Sequence, residues 1–258
     1  MIQNAALLFM VSIALVSCGS DDDGTPTTPE NYNLNFIFSH NWDGESVSLA
    51  EYTEKTYTNA AGTLMSIEFM RYLISGITLT NANGETTRLT DYQLIDLDDA
   101  GSFTLTTTQQ IEEGAYTNIS FNYGFEDTEN FGPTYQDLNT ANWNVPELLG
   151  GGYHYMQLNG KYANSNLDIT NFMFHNIRAI NMADGTTMDT HIVHNVGPVN
   201  VTGNTTINIK MDISEWFKSP NEWDLNTRFQ MLMGNYGAQI DMNANGQDVF
   251  NVGSINIE

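Results

Sequence analysis

Apolar and polar side chains alternate with a period of two through most of this chain, the pattern of strands with one buried face rather than of helices. Leu34-Asn35-Phe36-Ile37-Phe38-Ser39-His40 is the clearest case. In extended backbone, Leu34, Phe36, Phe38, His40 and Trp42 lie on one face. Met65 to Phe69, Arg71 to Thr80, Tyr92 to Leu97, Ser102 to Thr107 and Tyr116 to Tyr123 continue the pattern, with Asn83-Gly84 as a hairpin turn between Leu79 and Leu89. Strands on both sides of an Asn164 to Asn166 turn, then Thr187 to Val196, Thr205 to Ile213 and Val249 to Ile257, complete the set. Periodicity disappears between Glu126 and Leu149, and a segment of that length without regular structure is uncommon unless it has a purpose. Helix is expected only late: Ser214 to Lys218 reads as a capped turn stopped by Pro220. Thr227 to Met242 carries apolar residues at mixed spacing, and Gly234 and Gly237 oppose a continuous helix there. The expected fold is mostly β, an antiparallel β-sandwich with a long central loop and a short helical segment near the C-terminus.

At 258 residues the chain has the size of one all-β unit, here residues 33–258. Eight Lys plus Arg stand against 31 Asp plus Glu, a formal charge of −23, which disfavours nucleic acid and anionic membrane surfaces as partners. No aromatic-girdled strand pattern of a porin-like barrel is present. Residues 1–17 read as a signal peptide: Ala5 to Val16 is an apolar run, although Met1-Ile2-Gln3-Asn4 lacks the usual positive charge. Leu15-Val16-Ser17-Cys18 looks like a bacterial lipobox, which makes Cys18 the expected lipidation site. Cys18 is the only cysteine, so no disulfide is available and stability rests on the core. Residues 18–32, with Asp21-Asp22-Asp23, Pro26 and Pro29, read as a flexible tether.

Five histidines are the principal candidates for chemistry: His40, His154, His175, His191 and His194. His154 shares a strand face with Met156 and Leu158, and His175 shares one with Met173. An imidazole buried without a partner costs roughly 1–3 kcal/mol, and two of them suggest a metal. Imidazole suits copper and zinc. His191 and His194 point to opposite sides of a strand, so they rank below the others. Asp241 to Asp248 has the oxygens and glycine of a calcium loop, but Val252 stands where a bidentate Glu is required, and a polar turn is expected. Asp96-Leu97-Asp98-Asp99 reads as a solvated turn as well. No nucleophile elbow, His-Glu-x-x-His or phosphate-binding loop occurs, so no enzymatic activity is expected.

Several pieces carry a resemblance. Gly150-Gly151-Gly152-Tyr153-His154-Tyr155-Met156, continuing to Gly160-Lys161-Tyr162, precedes Phe172-Met173-Phe174-His175. Phe38-Ser39-His40-Asn41-Trp42-Asp43-Gly44, Arg71-Tyr72-Leu73-Ile74-Ser75-Gly76-Ile77 and Gly124-Phe125-Glu126-Asp127-Thr128-Glu129-Asn130 accompany it in order. Together they resemble the MbnP-like family of bacterial copper-binding proteins. The resemblance implies an extracytoplasmic copper-binding lipoprotein for copper acquisition or storage, with His40, His154 and His175 as ligands. It also implies oxidation of a tryptophan, Trp42 or Trp143, to kynurenine by a partner di-haem peroxidase (MbnH-like). The acidic run behind Cys18 resembles lipoprotein surface-export signals, which implies anchoring in the outer membrane, at the cell surface or otherwise on its periplasmic face. The alternative from another class is a surface glycan-binding accessory lipoprotein, stacking sugars on loop aromatics such as Trp143 and Tyr135.

Overall fold

A computed structural model describes residues 29–48, 53, 55–89 and 92–258. The signal segment, Cys18 and most of the tether lie outside the described residues. Strands make up 47% and helix 13%, so the mostly-β expectation holds.

Nine strands carry the architecture: β1 (Leu34–Trp42), β2 (Leu64–Asn81), β3 (Gln93–Asp96), β4 (Gly114–Tyr123), β5 (Met156–Ala163), β6 (Ile169–Asn176), β7 (Ile192–Val201), β8 (Thr205–Asp212) and β9 (Phe250–Ile257). Helices α1 (Gln136–Thr140) and α2 (Tyr236–Asn245) accompany them. The larger sheet is built on β2, a single 18-residue strand where the sequence suggested two. Its first half pairs with β5, which pairs with β6; its second half pairs with β4, which pairs with β7. β3 lies along the middle of β2, with Arg71 opposite Asp96. The smaller sheet runs β9, β8, β1.

The antiparallel expectation needs one amendment, because β8 runs parallel to β1, from Thr205 opposite Leu34 to Asp212 opposite Asn41. A parallel neighbour requires a long crossover. Here the entire larger sheet is inserted between the two strands.

Alternation sorts side chains as expected: Leu34, Phe36, Phe38, His40 and Trp42 of β1 are all buried. They meet the inner face of the larger sheet in an aromatic core. Phe38 and Phe121 stand edge-to-face at 5.9 Å, and Phe121 meets Phe250 in the same way at 5.5 Å. A second cluster of Leu73, Phe125, Leu138, Trp143 and Tyr153 is separate from that core. It forms where the 126–155 segment folds back over β2.

The late helical signals resolve differently from the sequence reading. The turn at Ile213–Phe217 is capped two residues before Ser214, by the Asp212 carboxylate accepting the Ser214 N–H at 3.1 Å. Helix α2 begins only after Gly234, with Asn235 as its cap, and extends across Asp241 to Asn245. Those residues are therefore helical rather than an open loop. At Asp96 to Asp99 a tight turn forms, Asp96 accepting the Asp98 N–H at 2.9 Å and Asp99 the Gly101 N–H at 2.9 Å.

Candidate metal centre

Three consecutive glycines set the approach to the site. Gly150, Gly151 and Gly152 have φ of +95°, +65° and +78°, a left-handed run that other residues adopt only with strain. At Gly152 the chain passes so close to Asn130 that an added Cβ would sit 2.6 Å from its backbone oxygen. This close passage lets the Asn130 Oδ1 accept the Tyr153 N–H at 2.7 Å. The chain then runs antiparallel to Trp143-Asn144-Val145: Val145 N–H donates to Gly152 O at 2.9 Å, and His154 N–H donates to Trp143 O at 3.0 Å.

That carbonyl also fixes the His154 ring. Nδ1 lies 2.9 Å from Trp143 O, so it carries the proton and donates. Nε2 therefore presents a lone pair, buried and without a hydrogen-bond partner among the described residues. An imidazole held through one nitrogen to a carbonyl, with the other bare, has the arrangement of a metal-ligating histidine.

His175 arrives from β6, whose Phe172, Phe174 and Asn176 point into the core and whose Met173 and His175 point outward. Its Nε2 lies 2.9 Å from Asn159 Oδ1 and donates to it, leaving the Nδ1 lone pair for another partner. The two rings meet edge-on, with centroids 5.4 Å apart. Imidazoles sharing an ion through bonds of about 2.0–2.1 Å have ring centres within roughly 6.5 Å of each other, so the spacing fits.

Trp143 covers His154. It is fully buried, its ring centroid lies 5.6 Å from that of His154, and its Nε1 has no partner. Arg71 lies beside it, against the Trp143 ring. His175, Gln157, Arg71 and Asp96 form one cross-strand row over four strands. Arg71 donates to Gln157 Oε1 at 2.8 Å and to Ala141 O at 3.2 Å, and its Cζ lies 5.2 Å from the Trp143 ring.

This environment keeps both rings neutral. Burial pushes the pKa of His154 down to about 4, partly offset by the Trp143 carbonyl and reinforced by Arg71. Burial, then the neighbouring His154 and Arg71, bring His175 to about 4. Neutral imidazole is the form that binds metal.

The structure brings His154, His175 and Trp143 together and places the other sequence candidates elsewhere. His40 lies inside the sandwich, its Nε2 2.8 Å from Tyr72 OH and its ring 5.1 Å from Phe103. Trp42 stacks on Tyr57 at 4.7 Å. His194 is buried between Phe121 and Phe250, at 5.5 and 4.7 Å, with Nε2 unpartnered. His191 pairs with Asp189 at 2.7 Å; burial alone would lower its pKa, but the carboxylates of Asp189, Glu126 and Asp127 leave it raised. Among the described residues no group of three His, Cys, Asp or Glu gathers for a metal, so any third ligand at the imidazole pair comes from outside that set. Sequence reasoning assigned no role to Arg71, Asn159 or Asn130, whose importance depends on strand register and on the fold of the glycine loop.

No curated protein matches the chain in sequence. Among solved structures, MbnP from Methylosinus trichosporium is similar in fold, with a TM-score of 0.56 at 12% identity, covering 87% of this chain and 99% of that one. The MbnP family model matches residues 31–250, which include both site histidines, Trp143 and Arg71. The protein belongs to the MbnP family.

Proposed function

We propose that this protein binds copper outside the cytoplasm through His154 and His175, serving copper acquisition or storage as a binding protein rather than an enzyme. The observation that carries the reading is the pair of desolvated, neutral imidazoles in ring contact, one with a buried lone pair that nothing else satisfies. Family membership supports the choice of copper, and imidazole is a suitable donor for it. Within this reading, Asn159 and the Trp143 carbonyl hold each ring in its ligating tautomer, and Trp143 excludes water.

Trp143, rather than Trp42, is the tryptophan in contact with His154, and it is the one we assign to kynurenine formation by a di-haem peroxidase partner. Kynurenine carries an amine and a carbonyl, donors that an indole lacks, and supplies the further ligand that the described His, Cys, Asp and Glu residues do not. The same burial speaks against the glycan reading, since a fully buried Trp143 has no face on which a sugar could stack. Lipidation at Cys18 would hold the domain at the outer membrane, on the cell surface.

Metal analysis of untagged protein purified from the cells that make it tests the core of this reading. Copper is expected in the natural chain and absent from His154→Ala/His175→Ala. A copper-free natural protein, or equal copper in both, overturns it. Intact mass of the same material, with peptide mapping, reports whether Trp143 is oxidised.

A further inference from the structure

The imidazole pair has an unusual neighbour for a cation site, which is another cation. Arg71 is bound by neutral oxygens only, Ala141 O and Gln157 Oε1, and its guanidinium lies against the Phe69 and Trp143 rings at 4.8 and 5.2 Å. Asp96 stands opposite it on β3, near enough for its carboxylate to favour the charged guanidinium, but its Oδ1 accepts the Asp98 N–H and it makes no direct ion pair with Arg71. Among the described residues no carboxylate forms an ion pair with Arg71, and none joins the two imidazoles. Every donor at the site is therefore neutral, and the nearest fixed charge is positive and held in place by two hydrogen bonds.

We propose that Arg71 is a specificity-determining residue that selects ions by charge, disfavouring divalent ions at His154 and His175 relative to monovalent ones. This rests on the copper reading above, and deepens it. A bound ion is repelled by the guanidinium in proportion to its own charge, and Asp96, one strand farther from the imidazoles, offsets only part of that repulsion. At an effective dielectric of about 20, one additional unit charge brought within roughly 7–10 Å of an unpaired guanidinium corresponds to a factor of about 15–50 in affinity, an upper bound here because Asp96 offsets part of it. Zinc and cupric ions, which two imidazoles would otherwise bind well, lose up to that factor; silver and cuprous ions do not. In a chain of net charge −23, whose surface concentrates divalent cations, such a filter acts where it is needed.

The test measures Ag(I) and Zn(II) affinities by chelator competition on metal-free protein purified from the cells that make it. Arg71→Gln is expected to raise Zn(II) affinity by tens-fold and to change Ag(I) affinity by only a few-fold. Arg71→Lys, which keeps the charge but not the planar fork, is expected to retain the natural Ag(I)/Zn(II) ratio within about threefold. An unchanged ratio in Arg71→Gln, or the same change of ratio in Arg71→Lys, overturns the proposal and leaves the copper reading standing. If Arg71→Gln does not fold, the natural chain decides alone: its Ag(I)/Zn(II) ratio must exceed that of a bis-imidazole peptide by tens-fold, and an equal ratio overturns the proposal. Failure of the natural protein to bind either ion removes both.

Discussion

His154 and His175 are neutral because burial and Arg71 make protonation expensive, and that has a sign that can be followed with pH. Their pKa values of about 4 lie well below that of a free imidazole, so protons do not compete with a metal until the pH approaches 4. Bound Ag(I) or copper is expected to stay in place from pH 7 to about pH 5 and to leave as the pH falls through 4, as equilibrium dialysis would show. Release centred near pH 6.5 would mean that the rings titrate as if exposed. The metal-free protein has a linked dependence. His40 and His194, also lowered to about 4 by burial, join the site pair in taking up protons on unfolding at mildly acidic pH. The unfolded chain then binds more protons than the native one between about pH 6.5 and 4, so stability falls as pH is lowered through that window. His191 has the opposite sign, since its raised pKa favours the folded state on the acid side. Four rings against one predict a net loss of at least about 3 kcal/mol between pH 7 and 4.5, measurable as a falling urea midpoint.

The loop that carries Trp143 is the part of the structure least legible in the sequence, and the reason lies in its backbone. Strands announce themselves because a period of two follows from one buried face, and β1 and β8 are readable that way. The segment from Asn130 to Tyr155 is ordered by single contacts instead: a left-handed glycine run, an Asn130 carboxamide reaching a backbone N–H, and a carbonyl shared by two donors of His154. None of these leaves a period. The glycine triplet was visible as a motif, but its consequence, that Trp143 lies over His154, was not. Gly152→Ala tests the mechanism. It combines a φ of +78° with a 2.6 Å encounter with Asn130 backbone, whereas Gly185→Ala, at φ +75° with open space around it, carries the conformational strain alone. Gly185→Ala is expected to cost about 1 kcal/mol and to leave metal binding unchanged. Gly152→Ala should cost at least ~2–3 kcal/mol in urea unfolding and lower metal occupancy at the same time, because the displaced backbone carries His154 with it.

Strand β2 divides the protein chemically, and the division explains why one of the histidines implied by the family resemblance stands apart. Consecutive residues of a strand face opposite ways, so Tyr72 points into the sandwich and Arg71 out toward the metal centre. His40, on β1 of the other sheet, reaches Tyr72; His175, two strands from β2 in the larger sheet, shares a row with Arg71. Sequence alternation correctly put each histidine on a face of its own strand, but which faces meet is decided by sheet pairing, and that is a property of distant segments. The parallel β1 and β8 pair is the extreme case, joining residues that lie 171 positions apart. It follows that His40 serves cohesion between the sheets. His40→Leu leaves the buried Tyr72 hydroxyl without its partner and should cost about 1–3 kcal/mol beyond the change in packing, whereas His40→Leu/Tyr72→Phe, which removes both polar ends, should recover part of that loss. Urea unfolding of the two variants measures the difference. On the proposed assignment both should hold copper at the natural stoichiometry and His175→Ala should lose it, because the imidazole pair lies beyond the outer face of β2, away from His40. Loss of copper from His40→Leu with its fold intact by near-ultraviolet circular dichroism would show that the sheet does not separate the two environments, and would return His40 to the ligand set.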